Sequence, residues 1–170
     1  MVLFSEQADV SVRPAIPSDA PDFARIQLAA WQVSHADALG ADILAALDVD
    51  AVAEQWRTTV ATPPGQEFAV FTALVRDEVV GFCAVSPGQI VALEVHPNYQ
   101  RQGHGSRLLS ASVDRIRQAG ATTISTWILS DNQGRKDFFG SAGMAFDSRV
   151  RTLAIAEDRT TQEERWSAEL

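Results

Sequence analysis

The chain has 170 residues, a length that favours one compact domain, expected here over residues 1–170, with a sizeable hydrophobic core. Its net charge of −8 and its sequence pI of about 4.8 argue against nucleic acid and anionic membranes as partners. Cys83 is the only cysteine, so no intramolecular disulfide forms, and neither a run of about 18 apolar residues nor an N-terminal targeting signal occurs. These features predict a cytoplasmic protein.

Hydrophobic spacing and turn residues predict the secondary structure in chain order. The chain opens with a strand over residues 10–16, a helix that Ser18 or Asp19 can cap, and a second helical region over 41–61, interrupted near 48–50. The rest is predicted as strands 67–75, 79–86 and 89–96, a helix 103–119 ended by Gly120, a strand 122–128, a short helix 133–141, and strands 145–155 and 162–169. This order predicts an α/β (α+β) fold on a mixed sheet.

The segment between residues 91 and 109 combines a strand, a glycine-bearing loop and the start of a helix. The apolar stretch ends at Val95, and the loop carries Gln100, Gly103 and Gly105 just before the helix. Free N–H groups in the first turn of a helix bind phosphate, and glycine lets the backbone approach a ligand closely. A dinucleotide-binding loop would need glycine at Leu108, and a nucleoside-triphosphate loop would need a lysine that the segment lacks. Neither loop fits.

The same segment resembles the acyl-CoA loop of the GNAT superfamily of N-acetyltransferases, whose pattern is Arg/Gln-x-x-Gly-x-Gly/Ala. A second family block, Asn-x-x-(x)-x-x-Phe-Tyr-x-x-x-Gly-Phe/Trp, is matched in order by Asn132, Phe138, Phe139, Gly143 and Met144. The resemblance extends from about Val10 to the C-terminus. It implies a mixed, mostly antiparallel central sheet flanked by helices, with strands 4 and 5 splayed apart to form an acyl-CoA cleft.

The resemblance implies that acetyl-CoA is the acyl donor, bound without a metal. Leu93 and Val95 would pair through their backbone with the pantetheine arm, although both are also ordinary core positions. Asn132 would bond the same arm, or it could cap the helix that follows it. His104, at a variable loop position, is expected to face solvent or lie near phosphate. The complete set of implied donor-binding residues is Leu93, Val95, Gln100, Arg101, Gln102, Gly103, His104, Gly105, Ser106, Asn132 and Phe139.

Glu94 is the candidate catalytic residue. It interrupts an apolar strand, where glutamate is disfavoured and a buried carboxylate is costly without a partner. The resemblance implies a general base that acts on the attacking amine through water. Two other interpretations stay open, in which Glu94 binds a cationic acceptor or pairs with an arginine.

Two positions depart from the family pattern. Phe139 stands where many members have a tyrosine, and phenylalanine cannot protonate the leaving thiolate. Met144 replaces an aromatic residue, a change that concerns packing. Transfer of acetyl to a primary amine remains the leading hypothesis, and a non-catalytic acyl-CoA-binding domain is the alternative.

The acceptor is not specified by the sequence. The resemblance places it against the N-terminal third, where Trp31, His35, Asp37, Asp42 and Trp56 could serve either recognition or packing. A small molecule, a peptide N-terminus and a lysine all remain open, and so does a homodimer. His35, His96 and His104 share no metal-ligand spacing.

Overall fold

A computed structural model describes residues 9–170 of the chain. The prediction that no targeting signal is present concerns the N-terminus and falls on residues 1–8, outside the described residues.

Seven strands and six helices make up the described chain, beside two short 3₁₀ turns. The strands are β1 (Val10–Pro14), β2 (Ala69–Val75), β3 (Glu78–Ser86), β4 (Gln89–Val95), β5 (Thr123–Leu129), β6 (Ala145–Ala156) and β7 (Arg159–Glu169). The helices are α1 (Ala20–Ser34), α2 (Ala36–Leu39), α3 (Ala41–Ala45), α4 (Val49–Ala61), α5 (His104–Gln118) and α6 (Gln133–Ser141). The predicted order is confirmed: α3 and α4 are the two halves of the interrupted helical region 41–61, and α2 is a short addition before it.

All seven strands form one sheet in the order β1-β2-β3-β4-β5-β7-β6. Neighbouring strands are antiparallel except β4 and β5, which are parallel and share one paired position, Gln89 with Ser125. The Thr126 hydroxyl adds one hydrogen bond of 3.2 Å to the Ile90 carbonyl. Beyond these contacts the two strands separate, which confirms the predicted fold class and its splayed strands. The single-domain prediction stays a prediction.

The sheet separates two hydrophobic clusters because side chains alternate between its faces along each strand. On β3, Cys83 and Val85 face the cluster that α5 covers, whereas Phe82 and Ala84 face the cluster that contains Phe23 of α1. The alternation continues on β4, where Leu93 and Val95 belong to the α5 side. Glu94 therefore points to the opposite face, toward α1.

Asp19 ties α1 to the sheet instead of capping the helix with its side chain. It occupies the N-cap position of α1 but makes no side-chain cap bond. Its buried carboxylate accepts hydrogen bonds from Arg13 at 2.7 and 2.8 Å, from the Thr72 hydroxyl at 2.8 Å and from the Ile16 amide at 3.0 Å. Burial alone would raise the pKa of Asp19, but these donors hold it below its usual value. The expected capping role of Asp19 is corrected accordingly.

Candidate active site

A cavity of about 600 Å³ opens where β4 and β5 separate. Its walls come from α1, the end of β4, the glycine loop, and α6 with the residue that precedes it. The lining residues are Ala30, Val33, Ser34, Leu93, Glu94, Val95, Tyr99, Gln100, Arg101, Gly103, Gly105, Ser106, Asn132, Gly134, Arg135, Phe138 and Phe139.

The structure brings most of the sequence-predicted site residues to this one cavity. Gln102 and His104 are the two that do not line it. The lining residues that sequence reasoning missed come mainly from α1 and α6, and Arg135 is the charged one among them. The sequence could have indicated Arg135, because it lies four residues before the predicted site residue Phe139 and therefore on the same face of α6.

The glycine loop presents the start of α5 to the cavity. Gly103 is the N-cap of α5 and has a φ of 86°, a left-handed conformation that glycine adopts without strain. A Cβ on Gly105 would lie 3.3 Å from the ring of Phe138, so a side chain there would crowd α6. Gln100 holds the loop to the strand through a 3.0 Å bond from its Nε2 to the Val95 carbonyl. The loop therefore leaves the first amides of α5 facing the cavity, an arrangement suited to phosphate.

His104 does not face solvent, which excludes one of the two alternatives expected for it; a place near phosphate stays a prediction. Its side chain is 2% exposed at the start of α5, and Leu108, one turn later on the same face, belongs to the core. Burial, together with the charge of Arg107, lowers the pKa of His104, so the ring is neutral at pH 7. A contact with a ligand could come only from the His104 backbone.

Glu94 is buried, at 6% exposure, and has two partners on one oxygen. Its Oε1 accepts a hydrogen bond of 3.2 Å from Trp31 Nε1 and forms an ion pair of 2.6 Å with Arg135 Nη2. Burial raises the pKa of Glu94, and the positive charge of Arg135 opposes that rise. The arginine pairing that the sequence left open is present, and burial makes Glu94 a stronger base than a surface carboxylate.

Arg135 also contacts the backbone that was expected to hold the pantetheine arm. The nitrogen that pairs with Glu94, Nη2, also donates to the Leu93 carbonyl at 2.7 Å. The Val95 carbonyl is occupied by Gln100, as described above. The His96 amide donates to the Val80 carbonyl and therefore points to β3. Successive backbone amides of a strand point to opposite edges, so the Val95 amide points to the gap between β4 and β5. Two backbone carbonyls on the free edge of β4 therefore already accept hydrogen bonds from the protein's own side chains.

Asn132 and Phe139 arrive from α6. The Asn132 side-chain oxygen accepts the Arg135 amide at 3.1 Å, so Asn132 is the N-cap of α6, and its Nδ2 lies 3.5 Å from the Ser34 carbonyl. The capping interpretation of Asn132 therefore holds in this structure. Phe139 is 1% exposed and packs edge-on against Phe138, and its ring closes the floor of the cavity without a donor group.

A protein-family model described as the acetyltransferase (GNAT) family matches residues 26–144. The chain belongs to this family. A Bacillus subtilis protein, the uncharacterized N-acetyltransferase YuaI, is 25% identical over 135 residues, which cover 72% of this chain and 73% of that protein. Among solved structures, a GCN5-related N-acetyltransferase from Rhodopseudomonas palustris is 22% identical, with a TM-score of 0.73 and coverage of 100% of this chain and 99% of that one.

A second solved structure, the PaiA N-acetyltransferase of Thermoplasma acidophilum in complex with coenzyme A, is 11% identical, with a TM-score of 0.78. It covers 95% of this chain and 99% of that one. At these identities the two structures show the shared fold, and the family match supplies the activity. The predicted family and the predicted enzyme class, an acyltransferase, are confirmed.

The α1 side of this acetyltransferase's cleft is polar and aromatic. Trp31 donates a hydrogen bond to Glu94 through Nε1, and its ring stacks on His35 with centroids 5.1 Å apart. A role of Trp31 in recognising the acceptor stays a prediction. His35 Nδ1 lies 2.6 Å from the Ser34 hydroxyl. Burial, and then the charge of Arg135, lower the pKa of His35 to about 4, so the ring is neutral at pH 7. Trp56 belongs to the core instead, against Phe23 and Phe82.

Cys83 is not available to form an acyl-enzyme. It is fully buried on β3 and accepts a hydrogen bond of 2.9 Å from Ser112. Burial raises the pKa of Cys83 to about 12, so the thiol stays protonated. This confirms the buried thiol expected from the sequence.

Between residues 9 and 170, no group of three or more His, Cys, Asp or Glu side chains is placed to hold a metal ion. Within the same range, no helix combines the length and apolarity needed to cross a membrane.

Proposed function

We propose that this acetyltransferase moves the acetyl group of acetyl-CoA to a primary amine by direct attack within a ternary complex. The observation that carries the proposal is the buried Glu94, placed on the splayed strand between a phosphate-type loop and the polar face of α1. The donor would be held by the start of α5 and the loop from Gln100 to Ser106 at its phosphates, and by the edge of β4 along its arm. Coenzyme A in the structurally similar PaiA complex supports this choice of donor.

The role of Glu94 follows from the protonation of the acceptor. A lysine amine with a pKa of about 10.4 is neutral in only about one molecule in 2,500 at pH 7, whereas an α-amino group with a pKa of about 7.7 is neutral in about one in six. Only the neutral amine attacks a thioester. Glu94 accepts the amine's proton, directly or through a water, as the C–N bond forms.

The remaining steps use backbone and solvent. The Val95 amide, which faces the gap, donates to the oxygen of the tetrahedral intermediate, a contact worth about 3 kcal/mol in comparable sites. The C–S bond then breaks and the thiolate leaves. Because Phe139 has no proton to give, water protonates the thiolate. The pantetheine arm can pair with Leu93 only if Arg135 releases that carbonyl.

Thiol release from acetyl-CoA with a panel of amines tests the proposal in wild type and Glu94→Gln. We expect Glu94→Gln to lose about 10²- to 10³-fold in kcat/KM at pH 7 and to recover as the pH rises, because the amine then loses its proton to bulk water. Glu54→Gln is the matched control, since Glu54 lies exposed on α4 beside Arg57, and it should keep the wild-type rate. Equal rates in wild type and Glu94→Gln would exclude Glu94 as the base. Acetyl-CoA binding without thiol release from any amine would contradict the transferase itself.

A further inference from the structure

Glu94 and Arg135 place opposite charges side by side in the wall of the cleft. Their contact of 2.6 Å uses one oxygen of Glu94 and one nitrogen of Arg135. Among residues 9–170, no hydrogen bond is formed by Glu94 Oε2 or by Nε and Nη1 of Arg135. Both residues line the cavity, so a carboxylate oxygen and a guanidinium edge are available to a ligand there.

A ligand that binds both the Glu94 carboxylate and the Arg135 guanidinium needs a cationic group and an anionic group close together, because the two side chains are themselves in contact. An α-amino acid does so, since one carbon separates its amine from its carboxylate. The guanidinium has a planar array of donors that binds a carboxylate through two parallel hydrogen bonds. A diamine or polyamine would instead bring a second cation toward Arg135 and be repelled.

We propose that Arg135 binds the carboxylate of an α-amino acid acceptor whose amine is directed at Glu94. The proposal rests on the proposed function and narrows its acceptor class. The charge of the whole molecule, −8, attracts cations in general, but the charges in contact at the cleft match a zwitterion. Pairing of the pantetheine arm with Leu93 would free Nη2 of Arg135 and so strengthen the site for the second substrate.

A carboxylate at the same guanidinium could also belong to the acyl group of the donor. We assign it to the acceptor because Arg135 lies in contact with Glu94. A dicarboxylic acyl chain would put a second negative charge beside that buried carboxylate, whereas the acceptor brings its own positive charge to it. The two sources are separated by varying donor and acceptor independently.

The test compares α-amino acids, their amides and the corresponding decarboxylated amines as acceptors in thiol release. Rates are normalised to the fraction of neutral amine, because removing the carboxylate changes the amine's pKa. In wild type we expect kcat/KM for the amino acid to exceed that for its amide by about tenfold or more. In Arg135→Gln this ratio should fall close to one whatever the absolute rate, and in Arg135→Lys it should be intermediate. Arg57→Gln, which removes an exposed arginine of α4, should keep the wild-type ratio.

A wild-type ratio of one or below, or an unchanged ratio in Arg135→Gln, would overturn the proposal. The proposal would also be overturned by a second result: wild type, but not Arg135→Gln, prefers succinyl-CoA to butyryl-CoA as donor, while the ratio of kcat/KM between amino acid and amide stays at one. Calorimetry of amino acid and amide binding to the CoA-loaded protein gives a readout without turnover. Tighter binding of the amino acid, lost in Arg135→Gln, supports Arg135 even if the proposed base mechanism fails, and equal affinities overturn it.

Discussion

The chemistry of Glu94 depends on a partner that lies 41 positions away in the sequence. Burial alone would favour the protonated carboxyl, which cannot act as a base. The Arg135 charge, at 2.6 Å, opposes the rise in the Glu94 pKa that burial causes and so favours the carboxylate. If Glu94 is the base, as proposed, Arg135 influences the pH range over which it works, in addition to any contact with substrate.

Replacing Arg135 by leucine should move the acid limb of the pH profile of kcat/KM to higher pH. Without the nearby cation, the desolvation of Glu94 is no longer opposed by the Arg135 charge, so the pKa of Glu94 rises further. In the proposed mechanism the reaction needs the Glu94 carboxylate, so activity is expected to be lost below that pKa and recovered above it. The profile is measured by thiol release with an acceptor whose amine has a low pKa and stays neutral over the pH range of the measurement. Arg135→Lys keeps the charge and should shift the limb less, and an unchanged limb in Arg135→Leu would show that Arg135 does not tune Glu94.

Individual residues show what the sequence could and could not predict. Gln100, Gly103 and Gly105 were predictable because loop and helix start are contiguous in the chain. The sequence left a pairing of Glu94 with an arginine open but did not identify Arg135, because an ion pair between β4 and α6 depends on how two separate elements pack. His104 was expected in solvent or near phosphate, and only the solvent alternative is wrong: the spacing of four between His104 and the apolar Leu108 indicated the buried face of α5.

At the scale of elements, the cleft is made by the junction of β4 with α5. The strand ends at Val95, a 3₁₀ turn over Pro97–Tyr99 follows, and Gly103 then reverses the backbone into the helix. The left-handed φ of Gly103 aims the first amides of α5 at the cavity. A residue with a Cβ can hold that conformation only with strain.

Substituting Gly103 by alanine should therefore weaken both the fold and the donor site. We expect a loss of about 1 kcal/mol in the free energy of unfolding, measured by denaturant titration, from the left-handed backbone. We also expect weaker acetyl-CoA binding in calorimetry, because relaxation of the strain turns the amides of α5 away. Gly65→Ala is the matched control: a Cβ at Gly65 meets no atom within 4 Å and its φ is not left-handed, so stability and affinity should stay unchanged. If Gly103→Ala is destabilised but binds acetyl-CoA with normal affinity, the left-handed conformation of Gly103 is not needed for donor binding.

At the scale of the whole molecule, the sheet consists of two parts held together by few bonds. Strands β1 to β4 and strands β5 to β7 are each continuously paired, whereas β4 and β5 share a single paired position. The order of elements and their approximate bounds followed from hydrophobic period and turn residues, which act locally. The divergence of β4 from β5 entered only through the family resemblance, because nothing in either strand's own pattern forbids further pairing.

Acetyl-CoA bound in the gap would contact β4 on one side and α6, which follows β5 in the chain, on the other. It would therefore link the two parts of the sheet through α6 and stabilise the molecule as a whole. At 100 times its Kd, a ligand specific for the folded state adds about 2.7 kcal/mol, which for a chain of this size raises Tm by roughly 5–11 °C. Differential scanning calorimetry measures the shift in Tm, and Gly103→Ala at the same ligand concentration should show a smaller shift.

Binding of acetyl-CoA should slow amide hydrogen exchange both at the end of β4 and at the start of α6, because the pantetheine arm replaces protein–water contacts on both. The tip of the β6–β7 hairpin, around residues 156–159, lies outside the cavity lining and is the internal reference. Slowing confined to β4 would mean that the donor binds one edge of the gap and does not join the two parts of the sheet.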